Sequence, residues 1–293
     1  MQHLRVSVII PTYADWDRLA HCLSALEKQD FPVGDFEIIV ANNNKKPDTP
    51  SGLVCPSNVV VIHVATPGSY AARNAAVAVS KGDILAFTDA DCIPDHSWLS
   101  EGVKEFDNNP DVDLVAGGVR FIWQGSAPNI VETYDSIFNL QQQNFARKGG
   151  AATANLFVRR DVFDRFGLFD ETRFSGGDID FTKRATSGGA KLVYAEDARI
   201  NHPARQNLGE VIRKARRMTG AGILQKRQEK KNIIIPHLDR LFPSFKAMKR
   251  IYKSGNATLV TGVGAWLVFY LVQIARVAEQ CRLIFFKSSY ERK

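Results

Sequence analysis

The chain has 293 residues, of which 45% are hydrophobic and 24% charged, a balance that excludes collagen-like, low-complexity and disulfide-scaffold classes. Its net charge of +7 is unevenly spread: residues 1–204 carry 19 Lys+Arg against 26 Asp+Glu, and residues 205–293 carry 19 against 5. Cys22, Cys55, Cys92 and Cys281 form no CxxC pair and the N-terminus has no signal-peptide pattern, so reduced thiols and no secretion are expected.

Arg5–Ile10 is a β-branched run stopped by Pro11, which predicts a buried strand with a functional turn at its end. Helical spacing over 15–29 puts Leu19, Cys22, Leu23 and Leu26 on one face, with Asp15 as N-cap. Phe36–Ala41 and Val59–Val64 read as two more buried strands. An Ala-rich helix over 70–80 ends at Lys81-Gly82-Asp83, and Ile84–Thr88 is a fourth strand that runs into Asp89-Ala90-Asp91. A helix over 95–109, a strand over 114–121 and a long polar stretch from 124 to 150 follow. Next come a strand at 154–158, a short helix at 160–166, a helix opened by Asp178-Ile179-Asp180, and extended segments at 191–194 and 198–201 that lead to His202. This alternation predicts an α/β fold with a mostly parallel central sheet flanked by helices.

Ligands in such sheets bind beyond the C-terminal strand ends. Pro11-Thr12-Tyr13, Asn42-Asn43-Asn44 and Asp89-Ala90-Asp91 all fall there. Two carboxylates at i and i+2 after a strand can reach one hard cation, and Mg²⁺ or Mn²⁺ commonly bridges carboxylates to substrate phosphates. Solvated turn aspartates are the alternative for a lone Asp-x-Asp. The placement after a buried strand favours the metal.

The segments Val8–Tyr13, Phe36–Val40, Arg73-Asn74-Ala75-Ala76 and Gly82–Cys92, then Gly167–Glu171 and Gly177–Phe181 with Arg184, resemble family 2 glycosyltransferases in order and spacing over about residues 5–205. The resemblance implies the GT-A fold, which is Rossmann-like, and an inverting sugar transfer from a nucleotide-diphosphate donor, with a UDP-sugar favoured. It implies that Pro11, Thr12, Tyr13 and Asn42 meet base and ribose, that Arg73 points at the diphosphate or base, and that Asp89 faces the donor diphosphate. Asp91, Asp89 and His202 would hold Mg²⁺ or Mn²⁺, and Asp178 would be the catalytic base, with Asp180 its rival. The chain departs from the family pattern twice: Asn42 stands where Asp is usual, and Gly177 precedes Asp178 where Glu is usual. A loop-shaping role for Asn42 and Asn43, a capping role for Asp178 and a purely structural His202 are the bland alternatives. Trp98, Trp123 and Tyr134 are read as core residues before sugar platforms.

A domain over 1–205 is thus expected to carry a helical C-terminal extension over 206–293. Arg213, Lys214, Arg216, Arg217, Lys226, Arg227, Lys230 and Lys231 make its first helix strongly basic, and residues 254–275 contain no charge. A membrane span needs ~20 apolar residues, so 254–275 is a candidate membrane helix, with interfacial and buried placements as alternatives. The larger basic excess precedes the run, which keeps the catalytic domain on the cytoplasmic face. The implied acceptor is a glycan or lipid-linked hydroxyl, in cell-surface or exopolysaccharide synthesis. Nucleic acid is not an expected partner, because no recognition motif accompanies the basic tail. A non-catalytic nucleotide-sugar-binding relative and a nucleotidyltransferase on a similar sheet are the rival functions.

Overall fold

The computed structural model describes residues 4–50, 52–228, 235–255 and 257–286. It divides into two compact units. Met1–Arg120, Gln141–Arg173 and Gly177–His202 form the first, and Phe121–Leu140, Phe174–Gly176 and Pro203–Lys293 form the second.

In chain order, β1 (Val6–Thr12), α1 (Trp16–Leu26), β2 (Phe36–Asn42), β3 (Val59–His63), α2 (Ser69–Val79) and β4 (Ile84–Thr88) come first. Then follow β5 (Ile93–Pro94), α3 (Trp98–Asn108), β6 (Leu114–Ile122), α4 (Ile130–Phe138), α5 (Gln142–Ala146), β7 (Asn155–Arg159) and α6 (Asp161–Phe166). The last elements are α7 (Gly177–Ser187), β8 (Leu192–Pro203), α8 (Leu208–Gln228), α9 (Phe245–Lys253) and α10 (Leu259–Phe285).

One eight-stranded sheet has the order β3-β2-β1-β4-β7-β6-β8-β5. β1 pairs parallel with β2 and β4, and β2 with β3. The α/β class is as expected, and β3, β2, β1 and β4 form a parallel half of the sheet. β7 lies antiparallel between β4 and β6, and β5 is antiparallel to β8. The reason is where β7 enters: Thr88, at the end of β4, faces Asn155, at the start of β7, so the chain can only run back along the edge. β1, β2 and β4 are buried almost throughout, which is why they read as unbroken apolar runs.

Helix α1 buries the four residues its spacing selects, Leu19, Cys22, Leu23 and Leu26. Asp15 occupies the N-cap without a side-chain cap bond; its carboxylate lies 3.6 Å from Arg18 instead. The two extended segments expected at 191–194 and 198–201 are one strand, β8. The glycine pair of β6 makes room for it: a Cβ on Gly118 would meet the Glu196 carbonyl oxygen at 2.3 Å, and one on Gly117 the Ala198 oxygen at 2.4 Å. An aromatic cluster docks α6 and α7 on the sheet. Phe181 stacks on Phe163 at 4.8 Å and meets Phe169 at 4.7 Å, and Phe169 stands edge-on to Phe87 at 5.4 Å.

The second unit is helical. Tyr134 and Ile137 of α4, Val211 and Ala215 of α8, Ile251 of α9, and Ala265, Val268 and Val272 of α10 form its core. The expected polar stretch 124–150 therefore contains two helices. α4 opens with a capping box in which Asn129 accepts from the Glu132 amide at 2.9 Å and Glu132 accepts from the Asn129 amide at 2.8 Å. Buried Asp135 accepts from the Arg205 amide at 3.0 Å and from Asn139 at 2.6 Å. The basic residues 213–227 lie on α8, whereas Lys230 and Lys231 fall outside the described residues. The uncharged run 254–275 enters α10 at Leu259, after a Thr258–Thr261 capping box, and the helix continues past Arg276 with an Arg282–Glu279 pair at 2.6 Å.

Candidate active site

β1, β2 and β4 end at one rim of the first unit, and their polar ends meet there. The Asn42-Asn43-Asn44 cluster ties this rim together. Asn42 is fully buried; its amide donates to the Pro47 carbonyl at 3.2 Å and its oxygen accepts from Asn44 at 2.8 and 3.0 Å. Asn43 donates to the Val64 and Thr66 carbonyls and accepts from the Gly68 amide, which tethers the start of α2. Asn44 accepts from the Ala14 amide at 2.7 Å, and Ala14 sits at a φ of 52°, a conformation that is costly for alanine. The turn after Pro11-Thr12-Tyr13 is thus held in a strained shape by side-chain hydrogen bonds. It leaves Tyr13 exposed and the buried Thr12 Oγ1 without a hydrogen-bond partner among the described residues.

Helix α2 delivers Arg73 and Asn74 to opposite tasks. Buried Arg73 donates to Asp89 Oδ1 at 2.5 Å. Asn74 clamps the 169–171 segment: it donates to the Phe169 carbonyl and to Glu171, each at 2.9 Å, and accepts from the Phe169 amide at 3.1 Å. Desolvation pushes the Asp89 carboxyl above the ordinary carboxylate range, opposed by Arg73 and reinforced by the Asp91 charge. One edge of the Asp89 side chain stays open to solvent.

The antiparallel register that sets Ile93 opposite Asn201 carries His202 back to the end of β4. Ligand atoms of Asp91, Cys92 and buried His202 all lie within 4.8 Å of one another. Burial and the nearby Asp91 and Asp89 charges push the Cys92 thiol well above its usual range, so it stays protonated. A carboxylate and an imidazole beside a second carboxylate match the donors that Mn²⁺ or Mg²⁺ takes together with waters and phosphates. The residues present therefore fit a divalent cation.

Asp178 opens α7 and is held by three donors: the Ile179 amide at 2.9 Å, the Tyr70 hydroxyl at 3.2 Å and the Thr153 amide at 3.3 Å. No cation pairs with it among the described residues. Asp180 differs, because Arg173 at 2.8 Å and Arg184 at 3.2 Å both engage it. The Asp180 oxygens are thus taken up in ion pairs rather than open to an acceptor hydroxyl. Tyr70 also accepts from the Gly177 amide at 2.9 Å, and a Cβ on Gly177 would sit 2.7 Å from the Tyr70 ring. A glutamate at 177 would require that ring to move. Burial raises the Tyr70 phenol above its ordinary value, with the Asp178 charge adding to it, so it remains a donor.

Sequence reasoning missed Tyr70, Asn74 and Thr153. For Tyr70 a signal existed, since it lies three residues before Arg73 and so on the same helical face. Trp98 is core, fully buried with its indole donating to Asn155 at 2.8 Å, and Tyr134 is core of the second unit.

The model for glycosyl transferase family 2 matches residues 7–167. Glycosyltransferase AglE of Haloferax volcanii is 38% identical over 75% of this chain and 73% of that protein. Glucosyl-dolichyl phosphate glucuronosyltransferase of the same organism is 22% identical over 68% of this chain and 69% of that protein. Among solved structures, the mannosyltransferase PcManGT from Pyrobaculum calidifontis, in complex with GDP-Man and Mn²⁺, aligns with a TM-score of 0.60 at 17% identity over 97% of this chain and 88% of that one.

Proposed function

This chain belongs to glycosyl transferase family 2 and is a glycosyltransferase using a nucleotide sugar, and from that premise we propose a metal-dependent inverting transfer to a hydroxyl of a glycan or lipid-linked acceptor. The observation that carries this reading is the convergence of Asp91 and His202 ligand atoms within 4.8 Å, beside Asp89. Asp91 and His202 would hold Mn²⁺ or Mg²⁺, and the imidazole, a softer donor than oxygen, favours Mn²⁺. The cation's contribution is to neutralise charge on the leaving diphosphate. Arg73 fixes the Asp89 carboxylate toward that end of the donor. The rim built by Asn42–Asn44 presents Pro11, Thr12 and Tyr13 to base and ribose, with the Thr12 Oγ1, which has no partner among the described residues, ready for a ligand atom.

Asp178 takes the proton of the acceptor hydroxyl as its oxygen bonds to the anomeric carbon from the face opposite the diphosphate. The bond from that carbon to the diphosphate oxygen breaks, and nucleoside diphosphate leaves with configuration inverted. Tyr70 and the Thr153 amide keep the Asp178 carboxylate aimed while leaving it without a cation partner among the described residues.

Two features support delivery of the acceptor at a lipid surface. A relative acts on a dolichyl phosphate by its name. The outer side of α10 carries Val260, Val263, Leu267, Leu271 and Ile274, between 41% and 74% exposed, as one apolar stripe. The opposite side of α10 is packed in the core of the second unit, which favours a helix lying in the interface over one that crosses it. A binding screen of UDP-, GDP- and dTDP-sugars with Mn²⁺ or Mg²⁺ tests the reading, a UDP-sugar being the donor proposed. The expected result is a rise in melting temperature for one donor only when metal is present. Equal shifts with chelator would overturn the metal, and no shift with any donor would overturn the nucleotide-sugar site.

A further inference from the structure

The second unit contains a cavity of about 250 Å³ that sugar transfer does not use. Lys226 of α8, His237 and Arg240 around the 3₁₀ turn Leu238–Leu241, and Arg276 and Gln280 of α10 supply its polar lining. Among the described lining residues there is no carboxylate, and Lys226, Arg240 and Arg276 make no ion pair with any described residue. The carboxylate nearest His237 is Asp239, 3.8 Å away and 81% exposed. The Gln280 oxygen is taken by the His237 amide at 2.8 Å, which leaves its NH₂ group as a further donor. Burial holds the Arg276 guanidinium below its ordinary value; Tyr134 opposes this and the neighbouring Arg240 charge adds to it.

Like charges brought together and partly desolvated are unfavourable unless an anion joins them. Guanidinium forks beside an ammonium match the oxygens of a phosphoryl group. The remaining wall includes Met218, Ile223 and Ile235, apolar surface that suits a carbon substituent on the anion. We infer that this cavity binds a phosphoryl anion, carried either by a lipid headgroup or by a free phosphate. Its basis is independent of the metal, the donor and the catalytic base.

The test uses the full chain without added divalent metal. Calorimetry with inorganic phosphate, against chloride at equal ionic strength, measures the free anion. Flotation with phosphatidylcholine vesicles, with and without phosphatidylglycerol, measures the headgroup. Arg276→Gln and Arg240→Gln are compared with Lys28→Gln, which removes one exposed charge from the first unit; Lys226→Gln serves if an arginine variant unfolds. Saturable phosphate binding weakened about tenfold by each cavity variant, and by less than about twofold in Lys28→Gln, is the expected result. If phosphatidylglycerol flotation falls in the same variants, the source is the headgroup; if flotation is unchanged, it is free phosphate. Absence of phosphate binding together with flotation indifferent to the cavity variants would overturn the site, as would equal losses in Lys28→Gln.

Discussion

At the scale of single residues, Asp178 and Tyr70 carry the sharpest consequences. Asp178→Asn keeps the size and one acceptor oxygen for the Ile179 amide and Tyr70, gives up the Thr153 amide contact, and cannot take a proton, so transfer should fall by about 10²–10⁴-fold while donor binding by calorimetry stays unchanged. Donor affinity lost to the same extent would assign Asp178 to the fold instead. Tyr70→Phe leaves the ring over Gly177 but strips Asp178 of a donor and the Gly177 amide of its acceptor. It should lower kcat about tenfold with little change in donor KM, and cost about 1–2 kcal/mol in thermal unfolding. An unchanged kcat would remove Tyr70 from the positioning of Asp178. Asp89, Asp91 and Asp178 were legible as a pattern of carboxylates at family spacing. The crowding at Gly177 was not, since it depends on a ring 107 residues earlier in the chain.

At the scale of elements, local signals and long-range packing divide the outcome. The capping box at Asn129 and Glu132 could have been read from the sequence, because an Asn followed three residues later by Glu opens many helices. The Gln- and Asn-rich composition of 124–150 obscured it. Asn129→Ala should lower stability by about 1 kcal/mol in denaturant unfolding, with no effect on metal affinity. In the same helix, burial pushes the Tyr134 phenol up to about 12; Arg276 and Arg250 oppose this and Asp135 adds to it. The unfolded chain loses this proton near the ordinary tyrosine value of about 10 while the folded chain keeps it. Stability is therefore lost as pH rises from about 10 toward 12. Tyr134→Phe should flatten that alkaline loss, as melting temperatures between pH 9 and about 11.5 would reveal. No local signal announces β8 as one strand, because Glu196 and Asp197 interrupt its apolar pattern and only the glycine pair of β6 admits it.

At the scale of the whole molecule, basic charge is concentrated in residues 205–293, with 19 Lys+Arg against 5 Asp+Glu. Chelation should abolish transfer, with activity restored by Mn²⁺ more fully than by Mg²⁺; undiminished turnover in chelator would remove the metal from the reaction. The lipid reading rests on the outer stripe of α10, so Leu267→Glu with Leu271→Glu should release the protein from membranes without disturbing the packed face of that helix. Retention of the variant in the membrane fraction, with flotation equal to the unaltered chain, would overturn it.

The sequence by itself determined the α/β class, the family, the apolar strands and the polar rim at their ends. The class, the strands and the rim follow from periodicity and composition within short windows, and the family from the resemblance of motifs in their order and spacing over about residues 5–205. Only the tertiary structure decided that Arg73 grips Asp89, that Asp180 is neutralised by two arginines whereas Asp178 is not, and that His202 returns to Asp91. Those outcomes depend on strand register and on pairings across the fold, and side-chain patterns along a chain do not encode them one element at a time. The tail shows the same division. Its basic and apolar runs are plain in the sequence, but which side of α10 is buried was settled by packing against α4 and α8.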